Sequence, residues 1–316
     1  MGFLDKYRPV LAIDAGTQSL RVSKDGEMIF NEATAIAIHP EKHKVDHIGN
    51  AAIELTGMRL YQPFDYVIQD FQAFELLLKG VTNKIKHRGL LLPTYKMFFS
   101  IPMTASSVDM RAFRDAGEHA NAIEVYMCRS AVLAALNMGL LNSKKNFFLI
   151  EFSTSKLEFT VFTNGTPTNF EGIKLGTKKL EKWVKNHLKR QYGIDVEEEE
   201  LRQIVNSYTE KTNTLHVQSK EVATSEIHEI IDRYLWIVED CIKSVIEDLD
   251  HHHHARAASN GLYFTGGGSL YQNLCQSLSE RIRLPAHFSE QPFLDPILGL
   301  EQVAQNTESF KDILMV

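Results

Sequence analysis

Apolar and polar positions along the chain fall into two alternating patterns. Short runs of β-branched and aromatic residues read as strands. Val10 to Ile13, Leu20 to Ser23 and Met28 to Phe30 form an antiparallel meander that turns at Lys24-Asp25-Gly26. Phe71 to Lys79 reads as helix, Lys96 to Ile101 as a buried strand, Val108 to Ala120 as helix, Ile123 to Met127 as strand and Arg129 to Met138 as helix. The second half opens as the first does. In NFFLIEFSTSKLEFTVFTN the runs Phe147 to Phe152 and Leu157 to Phe162 flank a polar tip, Ser153-Thr154-Ser155-Lys156, which marks a β-hairpin. A basic helix, Lys178 to Arg190, and a helix opening in the acidic stretch Val196 to Glu200 follow. Between Glu226 and Leu249, residues Ile227, Ile230, Ile231, Tyr234, Val238, Cys241, Ile242, Val245 and Leu249 recur at three- and four-residue spacing, the stripe of a long amphipathic helix. After a histidine run come a strand, Gly261 to Phe264, a glycine turn and a helix from Leu270. The pattern predicts an α/β chain in two similar halves, each opening with strand-turn-strand.

At 316 residues the chain exceeds what one core usually organises, so two domains or one bilobal fold are expected. A hydrophobic share of 44% and a charged share of 23% are those of an ordinary globular protein. The net charge of −6 offers nucleic acid no electrostatic attraction, and no nucleic-acid partner is expected. Cys128, Cys241 and Cys275 lie far apart and form no CxxC pair, which points to a reducing compartment. No apolar run approaches the roughly 20 residues that span a bilayer. The opening MGFLDKYRPV also lacks the apolar core of a secretion signal, so a cytoplasmic location is expected.

Three turns carry candidate chemistry. In AIDAGTQSLRV a strand ends at Asp14, and Gly16 allows close backbone approach while Thr17, Gln18 and Ser19 add donors suited to phosphate oxygens. Asp14 is placed to hold a water of a hydrated Mg²⁺; the plain alternative is an ordinary hairpin. In LYFTGGGSLYQNL, Gly266, Gly267 and Gly268 join a strand to a helix, so that backbone amides and a helix start can approach a ligand; the plain alternative is a tight strand–helix connection. The third turn is the 153–156 tip, led by Glu151.

The order of these motifs resembles the superfamily of actins, heat-shock ATPases and sugar kinases, and within it the chain resembles the MreB family of bacterial actins. The first motif is similar to that family's GIDLGTANT turn. IGNAAIELTG, QPFDYVIQDFQAFELLL, FFSIPMTASSVDMRAFRDAGEHANAIEVYM and GLYFTGGGSLYQNLCQSLSERIRLP parallel family segments in order and spacing. The resemblance covers nearly the whole chain. It implies an actin-like fold, with two lobes of ribonuclease-H-like sheets around a nucleotide cleft and four subdomains. These are expected at residues 1–32, 64–145 and 297–316 (IA), 33–63 (IB), 146–180 and 245–296 (IIA) and 181–244 (IIB). It also implies ATP with Mg²⁺ as cofactor, and nucleotide contacts from Asp14, Gly16, Thr17, Gln18, Ser19, Glu151, Gly266, Gly267 and Gly268. Glu199 and Arg202 match an acid and a lysine that contact the nucleoside; a solvated helix start is the plain alternative.

Two departures bear on activity. The family's second hairpin reads like DIGGGTTEV, whose glycines wrap the phosphates; here the matching residues are Glu151, Phe152, Ser153, Thr154, Ser155 and Lys156. Each lost glycine adds a Cβ where backbone would touch phosphate, while Lys156 offers a phosphate a positive charge or fills the space. Where the family carries a water-orienting glutamate, this chain has Cys128-Arg129-Ser130, with no carboxylate. Catalytic residues are therefore not assigned. The expectation is a filament-forming actin-like subunit with weak or absent ATP hydrolysis, involved in cell shape. The alternatives are an ATPase filament with nucleotide-driven turnover and a non-polymerising adaptor for envelope or cytoskeletal proteins.

Remaining features concern surfaces. His251 to His254 can chelate metal but read more simply as a solvated loop, and Lys178, Lys179, Lys182, Lys185, Lys189 and Arg190 read as a solvated helix face. GFLDKYR places Phe3, Leu4 and Tyr7 beside Lys6 and Arg8, and HRGLLLPTYK sets Leu90, Leu91 and Leu92 at a bend before Pro93. The family has a membrane-inserting loop at the matching place. These apolar segments are expected to hold the protein peripherally on the inner face of the cytoplasmic membrane.

Overall fold

The computed structural model describes residues 8–41, 44–85, 94–143, 145–209, 212–247, 249 and 251–315. The chain divides into two compact units, Met1–Asn137 with Leu294–Val316, and Met138–Phe293.

The first unit begins with the expected meander, β1 (Val10–Ala15), β2 (Ser19–Lys24) and β3 (Glu27–Ala33). Its β2–β3 turn puts Asp25 (φ 51°) and Gly26 (φ 87°) in the left-handed region, where an Asp-Gly pair is at ease. A small sheet follows, built from β4 (Ile36–Ile38), β5 (Val45–Ile48) and β6 (Arg59–Tyr61) in the order β5-β4-β6, with α1 (Asn50–Glu54) between its last two strands in sequence. After the short pair β7 (Phe64–Asp65) and β8 (Val67–Ile68) come α2 (Phe71–Lys84), β9 (Tyr95–Ile101), α3 (Ser107–His119), β10 (Ala122–Arg129) and α4 (Ser130–Asn137). Asp70 caps α2 by accepting the Ala73 amide, and Ser106 with Asp109 closes a capping box on α3. The main sheet runs β10-β9-β1-β2-β3, with β9 parallel to both β1 and β10. Each parallel crossover carries a helix, and the sheet core joins Leu11, Ile13, Met97, Phe99 and Ile101 to Phe74, Leu77 and Phe113.

The second unit repeats this plan. β11 (Phe147–Phe152), β12 (Leu157–Thr163) and β13 (Thr166–Ile173) form the meander. Then come α5 (Thr177–Tyr192), α6 (Glu198–Asn206), the hairpin β14 (Thr214–Val217) and β15 (Lys220–Ala223), α7 (Thr224–Glu247), α8 (His251–Asn260), β16 (Leu262–Thr265), α9 (Gln272–Ile282) and β17 (Ala286–Phe288). The sheet order β13-β12-β11-β16-β17 matches β3-β2-β1-β9-β10 strand for strand. The predicted stripe on α7 buries Ile227, Ile231, Tyr234, Val238, Ile242 and Val245, joined by Leu235, whereas Leu249 lies past the helix end. The histidine run corrects the expected loop: His251 opens α8, where Ala255, Ala257 and Ala258 favour continued helix. The last helix, α10 (Asp295–Gln305), belongs to the first unit. There Gly299 lies so close to α4 that a Cβ would stand 2.1 Å from the Leu133 carbonyl oxygen.

Candidate functional site

In the first unit, Asp14 is the penultimate residue of the central strand β1, near the carboxyl ends of the parallel strands where α/β sheets receive ligands. The turn beyond it closes with the Gly16 amide donating to the Ser19 carbonyl at 2.9 Å. Thr34 braces it from outside: its hydroxyl donates to the Gly16 carbonyl at 2.6 Å and its amide to the Gln18 carbonyl at 3.1 Å. The Thr17 hydroxyl accepts the Tyr66 amide at 3.4 Å, and Gln18 is exposed. Asp14 is not a bare carboxylate. Arg21, its cross-strand partner on β2, donates from Nη1 to Oδ2 at 3.2 Å, and both side chains are nearly buried. Sequence reasoning missed Arg21; the signal was its position seven residues after the acid, which a four-residue tip brings back opposite.

The second unit's tip is built alike. Glu151 faces Glu158 across β11 and β12 as Asp14 faces Arg21, and the Ser153 amide donates to the Lys156 carbonyl at 2.9 Å. None of residues 153–156 has a positive φ, so serine and threonine hold this turn without strain. Lys156 folds inward, its ammonium 2.5 Å from the carboxylate of Glu158, which is fully buried. The tip also docks on α5: the amides of Thr177 and Lys178 donate to the carbonyls of Ser153 and Thr154 at 3.1 and 3.0 Å, satisfying orphan groups of the helix start. This contact requires Gly176, where a Cβ would lie 2.3 Å from the Thr154 oxygen. Gly176, too, went unread in the sequence, since its need arises from a partner more than twenty residues away.

Beside the tip, β11 and β16 run parallel with Glu151 paired to Thr265, and the glycine turn follows. Each glycine has a packing reason. A Cβ on Gly266 (φ 81°) would meet the Phe152 carbonyl oxygen at 2.5 Å, one on Gly267 the Phe293 ring at 2.6 Å, and one on Gly268 the Phe152 ring at 2.4 Å. The Gly266 amide donates to the Pro292 carbonyl, whereas the described backbone hydrogen bonds leave the amides of Gly267 and Gly268 unused. Just past the turn, the Tyr271 hydroxyl donates to Glu181 at 2.5 Å and also meets Arg202; burial first and the Glu181 carboxylate second raise its pKa, against the opposing pull of Arg202. Arg202 in turn pairs with Glu199 at 3.4 Å on the exposed face of α6, so the two nucleoside candidates stand together and Arg202 reaches Tyr271 just past the glycine turn.

At the end of β10, Arg129 donates to the carbonyls of Pro102 and Ala105 at 2.7 and 3.0 Å, fastening the loop after β9. No carboxylate occupies this stretch, and burial pushes the Cys128 thiol up to about 12. Asp14 is the candidate for holding a hydrated divalent cation through a water. The carboxylate is engaged by a guanidinium, and among the described residues no group of three or more His, Cys, Asp or Glu side chains converges. Phe3, Leu4, Leu90, Leu91 and Leu92 lie outside the described residues. Among those described, no helix is long and apolar enough to cross a membrane.

A family model described as MreB/Mbl protein matches residues 8–312. The chain is similar to the cell shape-determining protein Mbl of Bacillus subtilis, 24% identical over 94% of this chain and 96% of the relative. It is 22% identical to the cell shape-determining protein MreB of Escherichia coli, over 92% of each. Among solved structures, MreB 5 of Spiroplasma citri bound to AMPPNP matches with a TM-score of 0.83 and 17% identity, covering 96% of this chain and 98% of that one. A MamK double helical filament matches at 0.76 and 13%, covering 94% and 99%. The fold is actin-like. The chain belongs to the MreB/Mbl family.

Proposed function

We propose that this chain is a cytoskeletal subunit that binds nucleotide and assembles into filaments governing cell shape, with weak or absent ATP hydrolysis. One observation carries the reading. Two acid-led hairpins of identical build and a glycine turn stand at the carboxyl ends of matching sheets, in a chain of the MreB/Mbl family. Relatives named as cell shape-determining, a MamK filament, and MreB 5 structures with AMPPNP and ADP support it. The nucleotide-binding elements are the turn from Asp14 to Ser19, the Glu151-led tip and Gly266 to Gly268, with Glu199 and Arg202 toward the nucleoside. Weak hydrolysis follows from Arg129: a guanidinium bound to two carbonyls accepts no proton and orients no attacking water. Residues 33–63 and 181–244 form the peripheral subdomains of the two halves.

Filaments of this kind lie on the inner face of the cytoplasmic membrane, held by Phe3, Leu4 and Leu90 to Leu92. Each weak apolar contact repeats along the polymer, and repetition converts it to avidity. Electron microscopy of the purified chain with anionic vesicles, with and without ATP, tests the reading. Filaments bound to vesicles are expected both with and without ATP. A chain that stays monodisperse throughout is an adaptor, and the filament reading fails.

A further inference from the structure

Away from the three turns, the first unit buries one hydroxyl that nothing meets. Ser23 on β2 is 1% exposed, and among the described residues its Oγ makes no hydrogen bond. A buried group left in that state costs stability until a partner reaches it. Ser23 lines a cavity of about 180 Å³ between the β1–β2 hairpin and α10. One water needs only roughly 10–15 Å³. Small residues keep the space open: Ala12 is the cross-strand partner of Ser23, and Ala304 lines the α10 side. Asp25 and Gly26 also border the cavity, which puts it at the far end of the hairpin from the Asp14 turn and separates it from the candidate nucleotide elements.

The outer lining is acidic. Glu301 on α10 makes no ion pair among the described residues, and Asp25 uses Oδ1 to accept the Val10 amide at 2.9 Å. Gln305 forms a further wall, its Nε2 lying 2.8 Å from where a Cβ on Gly26 would stand. No lysine or arginine lines the cavity; Lys24 follows Ser23 along β2 and so leaves from the opposite face of the sheet.

We propose that this cavity binds a small aliphatic primary amine as its ammonium ion. An ammonium carries three donors and no acceptor, which matches the Ser23 hydroxyl and the carboxylates of Glu301 and Asp25. A short alkyl stem then packs on Val10, Ala12 and Ala304. An anion would meet two like charges, and an uncharged apolar guest would desolvate the carboxylates while leaving the hydroxyl unmet.

The test is ligand-observed NMR by saturation transfer from the full chain, in nucleotide-free buffer at constant ionic strength. The probes are n-butylammonium chloride and n-butanol, an uncharged molecule of the same length. Transfer to butylammonium should saturate in the millimolar range, with n-butanol binding about tenfold more weakly or not at all. Glu301→Gln keeps the side chain's shape and removes its charge, and should weaken butylammonium binding about tenfold. Ser23→Ala should weaken it about threefold or more. If Ser23→Ala does not fold by circular dichroism, Glu301→Gln gives the reading. Absence of transfer from the unmodified chain means that water alone fills the cavity, and overturns the proposal. So do equal affinities for butylammonium and n-butanol, or unchanged binding by folded Glu301→Gln, which would put the amine elsewhere. Tighter binding of a lysine blocked at both backbone ends would assign the cavity to a side chain of another protein molecule, and the free amine would be the wrong ligand.

Discussion

Lys156 and Glu158 show how a single substitution changes a turn's role. A lysine read from sequence as a charge offered to phosphate turns out to neutralise a fully buried carboxylate. Removing it leaves that acid desolvated and unpaired, so Lys156→Met should destabilise the second unit by about 3 kcal/mol, and Lys156→Met with Glu158→Leu should recover most of the loss. Chemical denaturation of the single and double variants checks this; additive losses would show that the pair is not coupled. The cysteines make a second residue-level expectation. Burial pushes the thiols of Cys128 and Cys241 up to about 12 and about 11, and that of Cys275 higher still. All should therefore resist an aromatic disulfide reagent at neutral pH in the native state, half-buried Cys241 reacting first, and all three should react at once in denaturant. At this scale Asp14, Gly16 and Gly266 to Gly268 were legible as turn residues, because Asp and Gly mark the places where a strand gives way to a turn. Arg21, Gly176 and Phe293 were not, because what each does is set by a neighbour distant in sequence.

Among the elements, the strands and helices with strong periodicity were read nearly to their ends: β11 was expected and found at Phe147–Phe152, and α7 departs by a few residues. The histidine run failed as a loop because polarity alone was weighed, while the alanines after it carry the helical preference. The docking of the 153–156 tip on α5 was invisible for the same reason as Gly176. Gly176→Val should force the tip off the helix start, exposing the Thr177 and Lys178 amides to exchange and lowering Tm; hydrogen exchange at those amides reads it directly. Between α2 and α3, hydrogen bonds from Lys79 and then His119 hold the Glu75 carboxyl below the usual carboxylate range. A depressed folded pKa contributes stability that is present above the unfolded pKa and lost as pH falls through the folded one. Glu75→Gln should accordingly lower Tm at neutral pH and leave it unchanged in strong acid, where both forms are neutral. A constant Tm difference across that range would mean the group acts by packing alone.

For the whole molecule, the internal repeat is the fact that sequence pattern captured best, because two meanders and two sets of crossovers leave the same alternation twice. Subunits that meet head to tail assemble by mass action, and nucleotide need only bias the conformation that assembles. On the proposed reading, Arg129 tied to backbone carbonyls leaves hydrolysis without a water-orienting group, while binding and assembly are retained. Sedimentation with parallel phosphate release, in ATP and in a nonhydrolysable analogue, measures this separation most directly. The account predicts equal pelleting in both nucleotides with phosphate appearing far more slowly than polymer. Pelleting that occurs only in ATP and keeps pace with phosphate release would contradict it.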